Sequence, residues 1–131
     1  MSYEVNDREL ESVLALPAAT RFDYFLNRIA DWEEVWSLAD QDGWVLTADD
    51  DGNECVPVWP ARRFAEACCL GKWQNNEPRV ISLDDWCEKW LPGMAADRRR
   101  VAVFPLDSDK AVVMRPQELL KVIDETLEQY E

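Results

Sequence analysis

The chain has no histidine and only four glycines in 131 residues. Without an imidazole neither a Ser-His-Asp triad nor a Cys-His pair can be built, which removes two common routes to an activated nucleophile. Gly43, Gly52, Gly71 and Gly93 stand singly, so no glycine-rich loop is present to cradle a phosphate. No run approaches the roughly 18 apolar residues of a membrane span. The opening Met1–Asp7 carries neither a cationic region nor an apolar stretch, so no secretory leader is expected. Cys55, Cys68, Cys69 and Cys87 form no C-x-x-C pair, and the adjacency of Cys68 and Cys69 suits neither a zinc knuckle nor a disulfide framework. Reduced, mostly buried thiols in a cytoplasmic protein are the simplest expectation, with no metal and no cofactor.

Cationic charge is scarce as well, and unevenly so. Residues 1–60 hold 3 Arg against 14 Asp and Glu, whereas residues 61–131 hold 11 basic against 13 acidic side chains. The whole chain carries a formal charge of −13. Nucleic-acid binding takes most of its affinity from cationic contacts, so no nucleic-acid partner is expected. An anionic membrane surface is disfavoured for the same reason. A basic protein partner is compatible with this balance.

What the chain does have is 47% apolar residues and seven tryptophans, enough for one core in a domain spanning residues 1–131. Three apolar runs, Val35–Leu38, Trp44–Ala48 and Cys55–Trp59, are separated by Asp40-Gln41-Asp42-Gly43 and Asp49-Asp50-Asp51-Gly52-Asn53. Aspartate, asparagine and glycine suit tight turns, so the stretch predicts an antiparallel meander with Gly52 at positive φ. Upstream, Asn6 with Glu9 predicts a helix start, and Phe22, Phe25, Leu26 and Ile29 predict a second helix over 18–30. Downstream, Pro60 opens a third helix with Phe64, Ala67 and Cys68 on its apolar stripe. Arg79–Ser82 reads as a strand, and Ser82 with Asp85 caps a fourth helix that carries Trp86 and Trp90 and stops at Pro92-Gly93. Val101–Leu106 and Ala111–Met114 form a further hairpin, and Pro116 opens a last helix along Leu119, Leu120, Ile123 and Leu127. The fold class that follows is α+β, an antiparallel meander sheet of about six strands with helices packed mainly on one face.

The run Arg21-Phe22-Asp23-Tyr24-Phe25, Val35-Trp36-Ser37-Leu38, Gly43-Trp44 and Pro57-Val58-Trp59-Pro60 resembles a bacterial family named only as a domain of unknown function, number 2750. Trp86 with Trp90-Leu91-Pro92, Val103-Phe104-Pro105 and Pro116-Gln117-Glu118-Leu119 resemble it too, so that the likeness spans residues 8–130. It implies a small bacterial protein and assigns no catalytic residue.

Chemistry has few openings. Asp49-x-Asp51-Gly52 resembles part of a calcium loop, but Thr47 and Val58 fall where that loop needs carboxylates. Asp84-Asp85 suits a helix start, where negative charge is favoured. The tryptophans are the unusual excess. An indole N–H wants a partner, so tryptophan is favoured at interfaces. Trp59, at a strand-to-helix junction, and Trp73, in a polar loop, are the expected surface anchors. The leading reading is a non-enzymatic module that binds a protein through a tryptophan-bearing, acid-rimmed surface, with a regulatory or toxin-neutralising role by analogy. The competing reading is a small-molecule binder or enzyme with a tryptophan-lined pocket containing Asp40 or Asp42.

Overall fold

The computed structural model describes residues 5–40, 43–49, 51–67, 76–106 and 112–129, with Asp40 described by its backbone alone. The chain opens with α1 (Asp7–Leu14), where the Asn6 side chain accepts the Glu9 N–H at 2.8 Å, as the sequence predicts. α2 (Ala18–Trp32) starts after Pro17 and buries Arg21, Phe25, Leu26 and Ile29. Glu33 ends it in the left-handed region at φ 57°, its N–H donating to the Ile29 carbonyl.

Among the described residues seven strands follow: β1 (Glu34–Asp40), β2 (Gly43–Trp44), β3 (Thr47–Ala48), β4 (Glu54–Val58), β5 (Glu77–Ser82), β6 (Arg100–Val103) and β7 (Val112–Met114). They do not make one meander. They form a three-stranded sheet in the order β2-β1-β5 and a four-stranded sheet in the order β3-β4-β6-β7. The expected middle strand is split. Gly43–Trp44 pairs with the end of β1, then Thr47–Ala48 crosses to pair with β4. β4 and β6 run parallel, from Cys55 against Arg100 to Val58 against Val103. Both are buried almost throughout, and a strand buried on both faces reads as a plain apolar run that gives no clue to its direction.

The two sheets meet at one seam. Trp36 and Trp59 exchange backbone bonds of 2.9 and 2.8 Å in an isolated antiparallel bridge. Beside it the buried Ser37 hydroxyl donates to the Pro57 carbonyl at 2.6 Å. The turn between β3 and β4 is as predicted: Gly52 sits at φ 84°, and its N–H donates to the Asp49 carbonyl at 3.1 Å.

α3 (Arg62–Ala67) follows Pro60 and buries Phe64 and Ala65, while the expected stripe residue Cys68 lies outside the described residues. After β5, Ser82 caps α4 (Leu83–Asp85) by accepting the Asp85 N–H at 3.2 Å. Pro92-Gly93 does not end this helix. A π turn over Trp86–Trp90, closed by the Leu91 N–H on the Trp86 carbonyl, leads straight into α5 (Leu91–Ala96). The wider winding of a π turn eases the clash that proline causes in an α-helix, so Pro92 is accommodated at the junction with α5. α6 (Pro116–Gln129) buries Leu119 and Ile123.

The apolar core is continuous across both sheets, with Phe25, Leu38, Val58, Trp59, Phe64, Trp86, Phe104 and Leu119 all fully enclosed. Arg21, only 1% exposed, is held inside it: Nη1 donates to the Leu16 carbonyl at 2.6 Å and Nε to the Phe104 carbonyl at 3.3 Å. A buried guanidinium persists because its donors are engaged. No helix among the described residues is long and apolar enough to cross a membrane.

Candidate functional site

The split middle strand creates the site. Residues two apart in an extended chain point to the same side, so Trp44 and Leu46 face one way, and each is 38% exposed. Opposite them stand Lys89 and Trp90 of the π turn, Gly93 and Met94 of α5, and then Asp97 and Arg99. With Val56 at the base, these residues enclose an open groove of about 450 Å³.

Its aromatic wall is rigidly backed. Trp44 meets Trp90 edge to face at 4.7 Å and 90°, and Trp90 rests on the fully buried Trp86 with centroids 6.0 Å apart. Edge-to-face pairs add about 0.5–1.5 kcal/mol beyond area burial, which holds the exposed ring in place. Trp86 Nε1 finds no partner among the described residues. The charges of the groove lie at its rim: Lys89 reaches Asp85 at 3.4 Å, and Arg99 reaches Glu54 and Asp97 at 3.7 Å each. All are exposed pairs of the kind that contribute little to stability and exchange readily.

The expected anchors fare differently. Trp59 is fully enclosed in the core, its Nε1 donating to the Pro105 carbonyl at 3.0 Å. That bond satisfies the indole N–H and allows complete burial, so Trp59 presents no face to a partner. Trp73 and Asp42 lie outside the described residues. Asp40 pairs through its backbone with Gly43 at the end of the β1–β2 hairpin. The structure brings together Trp44 and Trp90 instead. The alternation Trp44-x-Leu46 beside a polar turn was the available signal for one wall, and a glycine within a helix was the signal for the other.

Other groups with chemical potential are accounted for locally. The Asp49 carboxylate accepts the N–H groups of Asn53 at 2.9 Å and Asp51 at 3.0 Å, and lies 3.6 Å from Arg100. The Asn53 backbone bond above all, with the Asn53 side chain, holds its pKa below the ordinary carboxylate value. An acid so engaged by its own turn is a poor cation ligand, and no group of three potential metal ligands occurs among the described residues. Burial pushes the Cys87 thiol up to about 11, with help from Asp124, Asp84 and Glu88. Burial also raises Cys55, so neither is an activated nucleophile. Tyr24 is raised by burial and by its 2.7 Å hydrogen bond to Glu9.

A family model described as "Protein of unknown function (DUF2750)" matches residues 22–123. Comparison with curated proteins and with solved structures yields no match. The matched span takes in most of α2, both sheets, the groove and most of α6. On that match, the chain belongs to the DUF2750 family.

Proposed function

We propose that this protein works by binding another protein, and that the groove between Trp44, Leu46 and Trp90 receives it. One observation carries the reading. An aromatic pair that could have been covered by the chain is instead held half open, with Trp44 38% exposed and braced through Trp90 on the buried Trp86. Tryptophan in a rigid, partly desolvated setting is the residue most enriched among binding hot spots. An enzyme reading has less support. Among the described residues Asp97 is the one carboxylate lining the groove, and it is ion-paired with Arg99, so no second described acid stands there to share proton transfer.

The test is capture from native lysate by the wild-type protein and by Trp44→Ala, followed by titration of the purified partner. A partner bound about 2 kcal/mol more weakly by Trp44→Ala, with NMR shifts at the Trp44 and Trp90 indoles, supports the reading. Equal binding by both proteins, with shifts mapped to another face, would overturn it.

A further inference from the structure

We infer that the surface between α2 and α3, away from the groove, binds an acidic amphipathic helix of a partner protein, and that α1 is a strap occupying it until such a helix displaces it. The way α1 is seated shows the chemistry of the surface. Arg63 of α3 donates from Nη1 to the Val5 carbonyl at 2.9 Å and pairs with Asp7. Tyr24 of α2 donates its phenol proton to Glu9 at 2.7 Å. Val5 and Val13 are buried, and Leu10 and Leu14 pack half-buried against the core. The seat thus takes the apolar face of a helix together with the two acids of its first turn.

Three observations make α1 replaceable there. It is 8 residues long, well short of the roughly 12–15 that hold a helix in isolation, so the seat imposes its helicity. Its pair with Arg63 is exposed, Asp7 keeping 86% of its side chain in water, and exposed pairs hold weakly. The seat also keeps an unused donor. Arg28 lies over the Tyr24 ring at 5.0 Å and the Trp32 ring at 5.4 Å, with its Nε buried and unpartnered among the described residues. A guanidinium fixed between two rings is set for a carboxylate, and α1 leaves that donor unmet. Tyr24, Arg28 and Arg63 all lie inside the residues matched by the family model, whereas α1 lies ahead of them. The occupant is a partner rather than a second copy of this chain. Arg21 holds the Leu16 carbonyl from inside the core, and the link of residues 15–17 spans only about 10 Å, so α1 stays with its own body.

The experiment titrates an acetylated, amidated peptide of residues 5–16 into the isotope-labelled full chain, beside a neutral peptide with Asp7→Asn and Glu9→Gln. The full chain carrying the same two substitutions has a weakened strap. It should bind the acidic peptide about tenfold more tightly than the wild-type chain does, while its own α1 amide signals move to random-coil positions. The same variant should prefer the acidic to the neutral peptide by about tenfold, and adding Arg28→Gln with Arg63→Gln should erase that preference. In the wild-type chain, without any peptide, the α1 amides should exchange hydrogen faster than the buried turns of α2, because the strap opens by itself. Equal binding of the two peptides, or α1 amides that exchange only as slowly as those of α2, overturns the inference. A wild-type dimer with α1 exchanged between copies also overturns it, by making a second copy the occupant. The Trp44 and Trp90 indole signals should stay in place throughout. A peptide that moves them and leaves α1 seated would overturn this inference and leave the groove reading intact.

Discussion

Two tryptophan pairs in this protein share a residue type and have opposite fates. Trp36 and Trp59 form the seam between the sheets, where Trp36 is 6% exposed and Trp59 not at all. Trp44 and Trp90 touch at the groove, where Trp44 keeps 38% of its surface in water. Trp36 and Trp44 are both strand residues only a few positions apart, so neither propensity nor hydrophobicity separates them. What separates them is the covering element. The seam is closed by backbone bonds and by the Pro105 carbonyl on the Trp59 indole, whereas the groove is walled on one side by a helix that carries glycine. The Trp59 N–H finds an internal acceptor and its ring is wholly core, whereas Trp44 stays at the surface because the chain leaves its ring partly uncovered.

Mutations should separate the two pairs by size of effect. Trp59→Ala should cost about 3–5 kcal/mol, because it empties a fully packed site; denaturant titration measures it, and a loss under 1 kcal/mol would erase the distinction between the two pairs. At the same seam, Ser37→Ala should cost about 1–3 kcal/mol by leaving the buried Pro57 carbonyl unpaired. The turn that carries the chain from groove to seam comes next. Gly52→Ala should cost about 1–2 kcal/mol, since φ 84° strains any L side chain. Trp44→Ala, on the groove side, should cost about 1 kcal/mol or less in stability, and its melting curve should lie nearest that of wild type.

The smallest effect is a pH dependence. Asp49 has a lowered pKa in the folded chain, so its contribution is fully present above the unfolded value of about 3.9. It is lost as pH falls through the lower folded value. Asp49→Asn should therefore flatten the acid limb of the stability curve below about pH 4 and leave its neutral region nearly parallel to wild type. Unchanged acid slopes in the two proteins would show that the turn bonds do not act through the carboxylate charge.

Much of the fold was legible from residues whose effects are local. Asn6 and Ser82 cap helices because their side chains reach an N–H three residues ahead. Gly52 turns the chain because glycine alone accepts its φ without strain, and Pro116 opens α6 as expected. The site was less legible. Of the two expected tryptophan anchors, Trp59 proves to be core, because its position depends on Pro105, far along the sequence, and Trp73 lies outside the described residues. Trp44 and Trp90 are likewise distant in sequence, and no local pattern states that they meet.

By itself, then, the sequence determined the elements: which segments are helical, where they are capped, where the β3–β4 turn falls, and that imidazole chemistry is absent. Those properties follow from side chains acting on their own backbone within a few residues. The tertiary structure alone decided how the strands combine. It set β4 parallel to β6, divided the run Trp44–Ala48 between two sheets, and carried a helix past Pro92 through a π turn. Each of those outcomes depends on a partner distant in sequence or on how a crowded helix packs, and an apolar run offers several such partners equally. The exposed groove follows from that choice, since it exists only where the strand that could have been continuous was broken.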